Sequence, residues 1–164
     1  MSSLLIEIGG EAGFVFSAAH AGIHDGQMEP LHGHTFSAGA RLFGTADPAG
    51  MVVDFHVVKA GMKAAIEPLR RRTLMPDKPV AGAVYTEDGQ VIVECGNDWY
   101  SFPRRSVFLL PVPNTTTEAI AGYLLDRLVP HLKGATGLER VELTLAEAPD
   151  TRAVAAADRS EGLW

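Results

Sequence analysis

The sequence predicts a mainly antiparallel α+β domain, and three observations carry that reading. Several short stretches alternate apolar and polar residues, the period of a strand with one buried face. Two others place apolar residues every three or four positions, as an amphipathic helix does. Their order along the chain is strands, helix, short strands, helix, strand.

Leu4 to Ile8 and Phe14 to Ala18 read as strands separated by a glycine-rich turn. Ala21 to Pro30 is polar and contains glycine, so a loop is expected. His34 to Phe43 alternates and reads as a long strand, with Gly50 to Val53 as its hairpin partner. Asp54 stands where an N-cap belongs. Val58, Met62, Ala65, Ile66 and Leu69 follow at helical spacing, predicting a helix from Phe55 to about Arg70. Ala83 to Thr86 and Val91 to Glu94 flank Glu87-Asp88-Gly89-Gln90, a hairpin signal. Trp99 to Phe102 and Ser106 to Leu110 read as further short strands. A second helix is expected after Pro113-Asn114, with Thr115 and Glu118 at capping-box spacing and Ile120, Leu124 and Leu128 on one face. The last strand is Val141 to Glu147, and the tail from Ala148 onward is weakly patterned, as a surface extension would be. With no internal repeat or low-complexity linker, residues 1–164 read as a single domain.

Composition narrows the function. Hydrophobic residues are 46% and charged residues 21% of the chain, the balance of a soluble globular protein. The net charge of -6 argues against nucleic acid or an anionic membrane as the main partner, while leaving room for a small anion bound by a local basic patch. No apolar run approaches a membrane span. The first residues lack a basic region and reach Glu7 too early for a signal peptide. Cys95 is the only cysteine, which excludes an internal disulfide, so a cytoplasmic setting is expected.

The chemistry concentrates in two short segments, Ser17-Ala18-Ala19-His20 and Leu31-His32-Gly33-His34. In extended chain, residues two apart share a face. His32 and His34 therefore continue the row of Phe36 and Ala38, and His20 ends the row Phe14, Phe16, Ala18. If the two strands are neighbours, three imidazoles converge at one end of a buried surface. Three imidazoles suit Zn²⁺ and leave its fourth position open, the pattern of a catalytic site.

With these residues in place, the sequence resembles the family of 6-pyruvoyl-tetrahydropterin and 6-carboxy-tetrahydropterin synthases. The matching pieces are Phe14 to His20, Leu31 to Phe36, Gly50 to Phe55 leading into a helix, Asn114 to Glu118, and Glu147 ending the last strand. The resemblance implies a tunnelling fold: a four-stranded antiparallel sheet with two helices on one face, here with an inserted β-hairpin. It implies a homo-oligomer, commonly trimers stacked as hexamers, with active sites between subunits. It also implies zinc on His20, His32 and His34, and a pterin substrate held by Glu147 and Thr116. A carboxylate can accept two parallel hydrogen bonds from a pterin's amino group and ring N–H.

The sequence departs from the family pattern at three positions. Met28 stands where most members carry a cysteine, but Glu29 follows, resembling a branch in which glutamate is the general base. That branch is associated with cleaving the side chain of 7,8-dihydroneopterin triphosphate to 6-hydroxymethyl-7,8-dihydropterin. Arg70 and Arg71 stand where the family has an Asp-His pair. Arginine stays protonated and cannot relay protons; Arg70 and Arg71 either bind a phosphate or carboxylate of the substrate or, with Arg72, form a solvated helix end favourable to the helix dipole. His24, Asp25 and His56 are possible substitutes for the lost histidine. The expectation is a zinc-dependent carbon–oxygen or carbon–carbon lyase on a dihydropterin, with Glu29 as catalytic residue. The rival is a non-catalytic zinc or pterin binder, or a partner subunit that has lost the family's Cys, Asp and His.

Overall fold

The structure, a computed structural model, describes residues 3–10 and 12–162. Before the first helix come β1 (Ser3–Ile8), β2 (Val15–His20), β3 (Ile23–His24), β4 (Gln27–Met28) and β5 (His32–Thr45). Helix α1 (Phe55–Ile66) is followed by β6 (Thr73–Pro76), β7 (Ala83–Glu87), β8 (Gln90–Cys95), β9 (Asp98–Pro103) and β10 (Val107–Leu110). Helix α2 (Thr117–Leu128), β11 (Leu138–Ala148) and β12 (Thr151–Asp158) complete the fold.

The long strand β5 organises the molecule. Its first half, His32 to Ser37, pairs antiparallel with β2; its second half, Ala40 to Thr45, pairs with β1 on the same side. Its other edge pairs with β11. The sheet runs β10-β6-β2-β5-β11-β12, with β1 off that path. Alternation along β5 is strict: Phe36, Ala38, Ala40 and Leu42 are buried, while Thr35, Ser37 and Arg41 are exposed. The buried row meets Val58, Met62 and Ile66 of α1 and Ile120, Leu124 and Leu128 of α2, so both helices cover one face. Asp54 caps α1 as expected, its side chain accepting from the His56 N–H at 2.8 Å.

The α+β class and the two helices stand, but the sheet is larger than four strands and is mixed. After α1 the chain re-enters beside β2, and β6 runs parallel to both β2 and β10. Gly50 to Val53 is not the hairpin partner of β5, because β1, β2 and β11 already take both of its edges; Val52 and Val53 instead join the core. The tail is not a surface extension: Thr151–Asp158 pairs along β11 as a full strand. Its alternation is masked in the sequence because alanines point to both sides. Ala21 to Pro30 is not wholly loop either. β3 and β4 form a small hairpin whose turn, Asp25-Gly26, has φ of 50° and 75°, the positive values a two-residue hairpin turn requires.

Two helix ends also differ. The α-helical part of α1 stops at Ile66 and a 3₁₀ turn covers Glu67–Leu69, since Pro68 lacks an N–H for the helical ladder. The capping box at Thr115 does not form; Thr116 is the N-cap, accepting from Ala119 N–H at 3.3 Å. The predicted hairpin around Asp88-Gly89 is present, extended by β9 to a three-stranded sheet. Its Val91, Val93 and Cys95 share a second apolar cluster with Ile23, Met28 and Met75. Among the described residues, no helix is long and apolar enough to cross a membrane.

Candidate metal centre and its cleft

Antiparallel register brings the three histidines together. His20, last in β2, lies opposite His32, first in β5, and Ala18 lies opposite His34. The ring centroids are 4.7, 5.2 and 4.8 Å apart, and one nitrogen from each ring can be chosen so that all lie within 4.8 Å of one another. Phe36 packs edge-on against His20 and His34, at 5.6 and 5.5 Å, and forms the apolar floor.

Each of the two end histidines is oriented by a backbone carbonyl. His20 Nδ1 is 2.7 Å from Thr115 O, and His32 Nδ1 is 2.9 Å from Pro30 O. Both contacts require the proton on Nδ1 and leave the Nε2 lone pair free, the arrangement that metal-bound imidazoles use. His20 is 3% exposed, and its Nε2 is the one buried side-chain polar atom among the described residues with no hydrogen-bond partner. A buried acceptor left unpaired is costly unless something binds it. Burial, together with His32 and His34 nearby, holds the His20 imidazole below its usual pKa, against the Thr115 carbonyl and Glu29, which pull the other way. A neutral, buried, unpartnered imidazole beside two others fits a zinc ion.

Glu29 follows β4 and turns back on the hairpin. Its N–H donates to Gly22 O at 2.9 Å, and its Oε1 accepts from Gly22 N–H at 2.6 Å. Glycine at residue 22 leaves room for both side chains: a Cβ would lie 2.8 Å from Glu29 Oε1 and 3.2 Å from His24 Nε2 and would push them aside. The hairpin is anchored from two sides. The Asn114 side chain bonds both the N–H and the carbonyl of Ile23, each at 2.9 Å, and Thr115 Oγ1 donates to Ala21 O at 3.0 Å. On the other side Cys95 Sγ lies 3.6 Å from Gly26 O, so the cysteine's strand is not remote from this loop but braces it. Met28, at the position of the family's cysteine, is buried in the second apolar cluster.

Glu147 arrives from the far side of the cleft. It ends the row Val141, Leu143, Leu145, next to an irregularity in β11 between Ala146 and Ala148. Thr117 Oγ1 donates to its Oε2, which also lies 4.0 Å from His34 Nε2. The cleft of ≈ 200 Å³ is lined by His20, Gly22, His24, Glu29, His32, Thr116, Thr117, Glu118 and Glu147. Four of the expected site residues thus share one wall system with Thr116, and His34 adjoins it.

Arg71 does not line this cleft; it lines a separate pocket on the other face of the sheet. Arg70 is a strut: its guanidinium donates to Val15 O at 2.9 Å and Gly13 O at 3.0 Å, with Glu67 at 3.3 Å. Of the three substitutes for the family histidine, only His24 lines the cleft; His56 pairs with Asp54 at the start of α1. Thr117 went unnoticed in the sequence. Three consecutive threonines offer one cap and two free hydroxyls, and packing decides which is which.

Residues 11–158 match the family model described as 6-pyruvoyl tetrahydropterin synthase. The chain belongs to the 6-pyruvoyl tetrahydropterin synthase family. Among its relatives is a Methanocaldococcus jannaschii protein, provisionally named 6-carboxy-5,6,7,8-tetrahydropterin synthase. It is 28% identical over 148 residues, which cover 88% of this chain and 91% of the relative. The Plasmodium falciparum 6-pyruvoyl tetrahydropterin synthase superposes with a TM-score of 0.89 at 26% identity, over 96% of this chain and 99% of that one. A Plasmodium vivax family member superposes with a TM-score of 0.86 at 26% identity, over 96% of this chain and 98% of that one. It was solved as a catalytic-residue mutant with glutamate changed to alanine.

Proposed function

We propose that this chain is a zinc-dependent lyase acting on the side chain of 7,8-dihydroneopterin triphosphate or a related pterin, with 6-hydroxymethyl-7,8-dihydropterin as product. The observation that carries the reading is the shared cleft: Glu29, two of the histidines and Glu147 line one cavity, in a family where a relative's catalytic residue is a glutamate. Residues 1–164 are read as one domain of this family.

His20, His32 and His34 would hold the zinc. Bound there, it would supply Lewis-acid polarisation of the substrate's side-chain oxygens. Glu29 acts as the base on a substrate carbon or hydroxyl. Its Oε1 is fixed by Gly22 N–H, and its second oxygen has no hydrogen-bond partner among the described residues. Glu147 accepts the amino and ring N–H of the pterin as a bidentate pair, its carboxylate oriented by Thr117. Thr116 stands beside it at the helix start. Arg71 binds the charged part of the substrate. The free edges β10 and β12 support assembly edge to edge into a closed ring, a trimer or hexamer in which neighbouring copies complete the cleft.

The test is metal analysis followed by incubation with 7,8-dihydroneopterin triphosphate and chromatography of the pterins. One zinc per chain and a new pterin product, lost in Glu29→Ala, support the reading. Zinc and pterin binding without turnover would sink it. That outcome would favour the second reading, a non-catalytic zinc or pterin binder or partner subunit, which Met28 packed away from the cleft and Arg70 locked to backbone carbonyls speak for. Met28→Cys with Arg71→His separates the two. Activity gained from an inert parent means degeneration, and activity lost means rewiring.

A further inference from the structure

On the face of β2 and β5 turned away from the helices, two basic segments meet. Parallel pairing sets Thr73 of β6 beside Val107 of β10. The residues leading into those strands are therefore neighbours: Arg70-Arg71-Arg72 before β6, and Arg104-Arg105-Ser106 before β10. A pocket of ≈ 570 Å³ opens between them, with Ser17, Thr35, Arg71, Arg72, Thr73 and Ser106 in its walls. No carboxylate lines it. In a chain of net charge -6 such a surface is unusual.

Arg71 is held there against a local penalty. Its φ is 57°, in the left-handed region that side chains avoid. The other two non-glycine residues with positive φ, Asp25 and Asp88, are each followed by glycine in a hairpin turn, where aspartate is at home. Arg71 has no such excuse, and glycine would sit there without strain. The backbone is pinned on both sides: Arg71 N–H donates to Ser17 O at 2.7 Å, and Arg72 O accepts from Ala19 N–H at 3.0 Å. A strained residue over-determined by its surroundings points to function. Among the described residues, neither Arg71 nor Arg72 has an ion-pair partner, whereas Arg41, Arg70 and Arg140 are each matched to carboxylates.

The pocket adjoins the metal cleft. His34 belongs to the histidine cluster and also lines this pocket. Gly33, between His32 and His34, lines it too, and a Cβ there would lie 3.3 Å from Ala18 O. Across neighbouring strands the groups run in order: Glu147 on β11, the histidines on β5 and β2, then the arginines ahead of β6. That is the order of ring, side chain and phosphates in a phosphorylated pterin.

We propose that the Arg71–Arg72 pocket is a polyphosphate subsite that takes the phosphate tail of the substrate. Two guanidinium forks supply charge and paired donors, and the surrounding hydroxyls donate to the remaining oxygens. The substrate assignment rests on the pterin reading above; the anion site itself does not.

The experiment is calorimetric titration of the zinc-loaded protein with tripolyphosphate, using Arg71→Gly, which suits the φ of that position, Arg72→Ala, and Arg127→Gln as a charge-matched control on α2. Thermal melts establish that all three are folded. Tripolyphosphate affinity is expected to fall tenfold or more in the first two and to hold in the control. KM for a triphosphorylated dihydropterin should rise in parallel, while affinity for the unphosphorylated pterin stays put. A change under twofold, or an equal loss in Arg127→Gln, overturns the subsite. So does weakened tripolyphosphate binding with unchanged KM, which would mean a free anion rather than a substrate tail. If the arginine variants lose tripolyphosphate and no pterin is ever turned over, the anion pocket stands and the lyase reading fails. Turnover that ignores the arginines means the reverse.

Discussion

The two faces of β2 and β5 have been put to different uses. On the helix side, the strands end in three histidines set on an apolar floor, all placed by ladder register and two of them, His20 and His32, also oriented by backbone carbonyls. On the far side, the same strands present Ser17 and Thr35 to a basic pocket whose arginines come from irregular chain. The first site is built on regular strands and is dry at its base; the second is open and depends on a strained turn. Soft imidazoles converging on one point suit a metal ion. Spread guanidinium groups in water suit a diffuse, multiply charged anion.

That contrast can be broken experimentally, most strongly at the metal side. His20→Ala should abolish zinc retention and any activity while tripolyphosphate binding persists, measured by elemental analysis and calorimetry on the same sample. Loss of both together would mean one site, not two. Glu29→Gln should keep the zinc and lower kcat about 10²–10⁴-fold, the usual contribution of a general base; unchanged turnover would remove Glu29 from the chemistry. Arg70→Ala should destabilise the protein by about 1.5–3 kcal/mol in urea denaturation, the range for hydrogen bonds from a charged donor. Its effect on tripolyphosphate affinity should be small, unlike that of its neighbour Arg71.

The smallest expected effect is a pH dependence. His20 has a folded pKa held below its usual value by burial and by the other two imidazoles. Below roughly pH 6.5 the unfolded chain therefore takes up a proton that the folded one resists. Stability of the metal-free protein should be full above that pH and fall as pH drops toward the folded value. His20→Gln should flatten this slope in denaturation midpoints measured between mildly acidic and neutral pH. An unchanged slope would mean that His20 is not the group responsible.

Much of the site was legible because strand periodicity carries sequence spacing directly into space. Residues two apart share a face, so the rows ending in His20, His34 and Glu147 followed once the strands were drawn. Asp54 was legible for the same local reason: a helix cap is settled by its own few neighbours. The arginine stretch was not. Arg70, Arg71 and Arg72 are consecutive and alike, yet one is a strut, one lies in left-handed backbone and one is free in a pocket. Only the contact with β2 separates them. The tail strand β12 was hidden because alanine on both of its faces erases the alternation that marks a strand.

Local pattern alone was enough for the α+β class, both helices, the N-cap at Asp54 and the facing rows of histidine, because these depend on short-range geometry that any chain of this spacing must obey. Long-range pairing was needed for the mixed seven-stranded sheet, for Thr116 rather than Thr115 as cap, for the Thr117–Glu147 contact, and for the pocket that brings Arg71 and Arg72 beside Ser106. Those features depend on which edges of β5 and β6 remain open once their neighbours have docked, and no single segment carries that information.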